Sequence, residues 1–160
     1  MQLQGSCHCG AVRFSVLSCT PYPFMLCYCS ICRKTAGGGG YAINLMGDNE
    51  TLTVRGRRHA RVYQATIDGE LSEAQRHFCG RCGSALWLWD PHWPELIHPF
   101  ASAIDSELPP APESAHIMLD SAAEWVPRPR PGRKNKTFAG YGADSIEGWH
   151  RAHGLYEDEA

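Results

Sequence analysis

Residues 27–40 read CYCSICRKTAGGGG. Three cysteines, Cys27, Cys29 and Cys32, fall within six positions, and four glycines follow almost at once. Three is an awkward count for the ordinary uses of thiols. A closed structural zinc site takes four ligands, and disulfides take cysteines in pairs. Where the missing partner comes from decides both the fold and the chemistry.

The remaining cysteines answer part of that question. The 160-residue chain holds eight: Cys7, Cys9, Cys19, Cys27, Cys29, Cys32, Cys79 and Cys82. That density is below a disulfide scaffold's. Seven of the eight lie in the runs CHC, CYCSIC and CGRC, and such close neighbours do not bridge with relaxed geometry. Thiolates clustered on separate chain segments are what a tetrahedral metal needs. The N-terminus, MQLQGSCHCG, lacks the apolar core of a signal peptide, which predicts a reducing, cytoplasmic location. No stretch approaches the ~20 apolar residues that span a bilayer. The net charge of −2 gives no global pull toward nucleic acid or membrane. With 43% hydrophobic side chains, the length suits one globular domain over 1–160.

The pattern is mostly β. GAVRFSV (10–16) alternates as a half-buried strand does. Further strands are predicted at 41–46, 51–55, 60–67, 84–89, 96–104 and 115–120, separated by turn signals at 47–48, 68–69 and 90–94. Pro99 demotes its segment to an edge strand or splits it. Residues 127–143 carry three prolines, three glycines and five Lys/Arg with no acid, which predicts an extended basic surface arm. A short helix is predicted over 144–155, with an Asp144–Glu147 capping box and Gly154 as its stop. Ile146, Trp149 and His153 share the face that docks it.

CHCG and CGRCG each end in glycine, which lets the backbone fold beneath a metal and aim its N–H groups at the sulfurs. Together Cys7, Cys9, Cys79 and Cys82 make a closed, structural zinc site. That leaves Cys27, Cys29 and Cys32 with three ligands and one open position, the pattern of a catalytic zinc. A fourth protein ligand, from Cys19 or one of the eight histidines, is the alternative. Three thiolates make an electron-rich zinc suited to a soft fourth thiolate rather than to hydroxide. The chemistry this favours is making or breaking a carbon–sulfur bond on an incoming thiol.

Several other features carry two readings each. Arg33 and Lys34 either hold a substrate carboxylate or are solvated surface residues. The glycines at 37–40 form either an open loop for a ligand or a tightly packed one; no phosphate-loop pattern follows them. His77 and His98 are the candidate acid–base groups, set against a packing role. RGRRHAR (55–61), with the basic arm, offers an anionic partner a surface, but the absence of a nucleic-acid motif favours a solvated hairpin. Trp87 and Trp89 share one strand face and belong to the core or to a dimer surface.

SCHCGAVRF, CYCSICRKTAG, RHFCGRCGSAL, ELIHPFASAID and AHIMLDSAAEW together resemble the glutathione-dependent formaldehyde-activating enzyme family, the centromere protein V/GFA domain. The resemblance covers residues 3–126, and SIEGWHRAHGL resembles the tail of bacterial members. It implies a mainly β, β-tent fold of antiparallel sheets with zinc-ribbon-like knuckles and a short C-terminal helix. It implies two zinc ions, a structural one on Cys7, Cys9, Cys79 and Cys82 and a labile one on Cys27, Cys29 and Cys32. It further implies a small-molecule thiol, glutathione or similar, as cosubstrate, an aldehyde partner, and S-(hydroxymethyl)glutathione synthesis, a carbon–sulfur lyase activity. The competing expectation is a non-catalytic interaction module with both zinc sites structural.

Overall fold

The computed structural model describes residues 1–157; the last three residues of the expected 1–160 unit lie outside the described residues. The strands are β1 (Gln2–Ser6), β2 (Arg13–Leu17), β3 (Met25–Cys27), β4 (Ala42–Ile43), β5 (Gly47–Asp48), β6 (Thr53–Arg55), β7 (Ala60–Tyr63), β8 (Thr66–Ile67), β9 (Glu70–Leu71), β10 (Gln75–Cys79), β11 (Ala85–Trp89), β12 (Leu96–Pro99), β13 (Ser114–Ile117) and β14 (Asn135–Thr137). Two helices, α1 (Ser30–Thr35) and α2 (Ile146–Ala152), accompany them. The fold is mainly β, as expected.

The strands form sheets in the orders β1-β2-β6, β5-β12-β11-β10-β7 and β14-β13-β3-β4, with β8 and β9 as a separate hairpin. The first two sheets are antiparallel and enclose the main core. Alternation in β1 and β2 turns Leu3, Phe14 and Val16 inward, against Leu86, Trp87 and Ile97 of the larger sheet. The Phe14 and Trp87 rings meet edge to face at 5.1 Å. Trp87 is thus core, while Trp89 packs at the margin and donates its indole N–H to the Pro94 carbonyl.

The third sheet is mixed. β13 runs parallel to both β3 and β14, with β3 antiparallel to β4. The partner β14 lies inside the segment read as an extended basic surface arm. Residues 127–143 stay largely exposed, but three of them pair with β13, and Arg128 donates to the Leu119 carbonyl.

Pro99 splits its segment rather than lying on an edge. β12 sits between β5 and β11, ends at Pro99, and gives way to the 3-10 turn Ala101–Ala103. β5 pairs only with Leu96 and Ile97, so the missing Pro99 N–H interrupts no ladder bond to it. The 60–67 run likewise breaks into β7 and β8.

α2 is capped by Ser145, whose side chain accepts from the Gly148 N–H, and not by the expected Asp144 box. Gly154 does take a left-handed conformation, φ 65°, just past the helix end. Trp149 is buried between Phe24 and His153, stacked on both.

Candidate metal and thiol site

Two tight turns build the outer cysteine cluster. Between β1 and β2, Cys7 N–H donates to the Val12 carbonyl and Gly10 N–H to the Cys7 carbonyl, with Gly10 at φ 70°. After β10, Gly83 N–H donates to the Cys79 carbonyl, with Gly83 at φ 77°. Both glycines permit a left-handed turn that an L side chain resists. The turns also aim backbone donors at sulfur: Val12 N–H lies 3.2 Å from Cys7 Sγ and Arg81 N–H 3.4 Å from Cys79 Sγ.

The four sulfurs of Cys7, Cys9, Cys79 and Cys82 all lie within 4.8 Å of one another. Cys7 and Cys9 are 3.6 Å apart, and Cys9 and Cys79 3.9 Å. A tetrahedral ion with Zn–S bonds of about 2.3 Å requires sulfurs about 3.8 Å apart. The donor set therefore fits a closed tetrahedral metal. Hydrogen bonds from the Ser84 hydroxyl and backbone bring the Cys82 thiol pKa down to about 5.

The inner cluster is assembled differently. Cys27 ends β3, Cys29 is the N-cap of α1, and Cys32 lies in its first turn. The extended cap lets Cys29 Sγ accept from the Cys32 N–H at 3.3 Å. Its three sulfurs again lie within 4.8 Å of one another, and among the described residues no other Cys, His, Asp or Glu joins the set. Cys27 and Cys32 are buried among Ala42, Phe100 and Ile117. Thiol hydrogen bonds from Cys27 and then Cys32 drop the Cys29 pKa to about 2, and hydrogen bonds with Cys29 and then Cys32 push Cys27 up. One thiolate, on Cys29, is thus held by two neighbouring thiols in a desolvated place.

The other sequence candidates fall outside this inner set. Cys19 interacts with Tyr156 and lines a separate cavity beside Met1. His77 stacks on Trp87 at 5.0 Å, and the His98 Nδ1 pairs with the Leu45 carbonyl; burial lowers the pKa of both. Arg33 and Lys34 line a cavity of about 660 Å³ with Gly37, Gly38 and Asp105. Arg33 also donates to the Ser121 carbonyl. No inner-cluster cysteine lines that cavity.

The glycine run divides between the two expected roles. A Cβ on Gly37 would stand 2.3 Å from the Tyr41 carbonyl oxygen, and one on Gly40 2.3 Å from Val126 Cγ2. Gly38 faces open space. The run is thus packed at its ends and open in between.

Sequence reasoning missed Arg76. Its Nη2 lies 4.0 Å from Cys32 Sγ. The adjacency arises from sheet pairing, and the sequence signal was only a basic residue three positions before Cys79.

The sequence profile of the family described as glutathione-dependent formaldehyde-activating enzyme matches residues 2–121. The chain belongs to this family. A Halomonas elongata protein provisionally named glutathione-dependent formaldehyde-activating enzyme is 61% identical over 157 residues, spanning 98% of this chain and 99% of that one. A crystal structure of a Rhodobacter sphaeroides protein superposes with a TM-score of 0.51 at 27% identity, over 69% of this chain and all of that chain. For the glutathione-dependent formaldehyde-activating family, both cysteine clusters of this member lie within or beside the matched region's strands, and each can hold a metal ion.

Proposed function

We propose that this chain is a zinc-dependent carbon–sulfur lyase acting on thiol–aldehyde adducts, with glutathione or a similar thiol and formaldehyde or another small aldehyde as its partners. In this reading Cys7, Cys9, Cys79 and Cys82 hold a structural zinc. Cys27, Cys29 and Cys32 hold a second, exchangeable zinc, and the residues 1–160 work as one unit in the cytoplasm. The observation that carries the reading is the inner set of three sulfurs that no fourth side chain completes among the described residues.

Bound zinc would supply a Lewis acid that strips the proton from an incoming thiol and keeps it as a thiolate. The chain's own part is to present three sulfurs at fixed spacing. The Cys32 N–H orients Cys29, and the burial of Cys27 and Cys32 limits competing water. Three thiolates favour a soft fourth ligand over hydroxide. In the synthetic direction the thiolate sulfur adds to the aldehyde carbon and a C–S bond forms. The carbonyl π pair moves to oxygen, which takes up the proton the thiol released.

The Halomonas elongata relative's name supports the choice of thiol and aldehyde. The rival, an interaction module with two structural zincs, requires a side chain to close the inner set. The test is Co(II) substitution followed by glutathione titration, watching the sulfur-to-metal charge-transfer band. A new band that saturates with thiol is expected; an unchanged spectrum at millimolar glutathione sinks the proposal.

A further inference from the structure

Arg76 lies mid-strand on β10, paired with Leu88 of β11 and Tyr63 of β7. Its Nη2 is 4.0 Å from Cys32 Sγ, while its Nε is buried and finds no hydrogen-bond acceptor. Among the described residues no carboxylate pairs with it. A buried, charged donor without an acceptor is costly, and native structures retain one where something else completes it. The geometry of the side chain says where that acceptor would sit. Nε and Nη2 share one edge of the planar guanidinium, the edge that grips an anion side-on. An acceptor on the Nε–H would therefore sit on the edge whose other nitrogen reaches toward Cys32.

The surroundings fit an organic ligand. Arg76 lines a cavity of about 350 Å³ with Thr35, Tyr63, His77, Phe78 and Phe100. Its walls are mostly rings and methylene surface, and Arg76 brings the guanidinium into them. Three thiolates on a divalent ion carry a net charge of −1, and a fourth thiolate would make it −2. A guanidinium beside the set offsets that second charge, an advantage a neutral water ligand does not gain.

We propose that Arg76 is the binding residue for the exogenous thiolate: its Nε–H donates to the ligand sulfur beside Cys32, and the adjoining cavity accepts the carbon substituents on that sulfur. This rests on the proposed open inner site and adds to it the side chain that selects an anionic sulfur.

The test uses the full chain loaded with Co(II), as wild type, Arg76→Met and Arg76→Lys. Metal content and circular dichroism are recorded, and each protein is titrated with glutathione and with 2-mercaptoethanol, which has no carboxylate. Arg76→Met is expected to keep its metal and fold and to bind both thiols on the order of 10- to 100-fold more weakly, the scale of a charge-assisted hydrogen bond. Arg76→Lys keeps the charge without the fork and should fall between the two. Unchanged thiol affinity in metal-loaded Arg76→Met overturns the inference and leaves the proposed function standing. If Arg76→Met does not fold, unchanged affinity in Arg76→Lys overturns it, and weakened binding of both thiols supports it. A loss confined to glutathione also overturns it, because Arg76 would then be reading a carboxylate. A wild-type protein silent to both thiols defeats the proposed function and the inference with it.

Discussion

Phe24 and Trp149 stack face to face, their ring centroids 3.8 Å apart and their planes 5° from parallel. Phe24 immediately precedes β3, the strand that ends in Cys27, so α2 is clamped onto the segment leading into the inner cluster. Removing the indole should release that clamp. Trp149→Ala is expected to cost about 3–5 kcal/mol, the usual range for deleting a buried aromatic, read as a lower urea midpoint at unchanged slope. If the midpoint does not move, the stack is not a stabilising contact.

The clamp should also loosen in acid. His150 is fully buried; its Nε2 accepts the Tyr22 N–H at 3.2 Å, and its Nδ1 pairs with the Ile146 carbonyl at 2.7 Å. This arrangement needs a neutral ring. Burial is the main cause that lowers its pKa, partly opposed by the Ile146 carbonyl. Above the unfolded value of about 6.5 the ring is neutral in both states and nothing is lost. As the pH falls below it the unfolded chain binds the proton first, so stability declines until the folded value is passed. Amide protection factors in α2 should fall as the pH drops below about 6.5, and His150→Gln should flatten that dependence.

The two cysteine clusters should respond differently to loss of a ligand. Cys79 is fully buried and joins the 7–9 turn to the 79–82 turn. A structural zinc bound with about 10–16 kcal/mol exceeds the ~5–15 kcal/mol that holds a typical domain folded. Cys79→Ser should therefore abolish the native circular dichroism. Cys29→Ser should keep it, with one zinc fewer by atomic absorption and no response to glutathione. Equal unfolding of the two variants would contradict the division of roles.

Within the glycine run, Gly40→Ala and Gly38→Ala should differ in sign. Gly40 sits at φ 89° with Val126 packed where a Cβ would go, which should destabilise by about 1–3 kcal/mol. At Gly38 an added methyl meets nothing within 4 Å. The expected change there is a gain of about 0.4–1 kcal/mol from the unfolded chain. Thermal melts of the two variants decide it.

What the sequence made legible follows from which signals are local. GAVRFSV carries its alternation within itself and became β2; the cysteine spacings likewise pointed to two ligand groups that the structure brings together. β10 was missed because QRHFC shows no period of two, every residue before Cys79 being half-buried. α1 was missed because six residues are too few to show a helical stripe. The parallel pairing of β13 with β3 and β14 joins segments far apart in the chain, and no local pattern specifies it. Arg76 belongs to the same class: its place beside Cys32 is a product of β10's sheet position, not of spacing.

The outer cluster spans 70 residues between Cys9 and Cys79, and that distance has a consequence for biosynthesis. On the ribosome the first turn emerges as a bare pair of thiols long before its partners are translated. The inner trio, complete once residue 32 is out, is the earlier of the two sets able to capture an ion. A nascent chain therefore completes its three-sulfur set first and its four-sulfur set last.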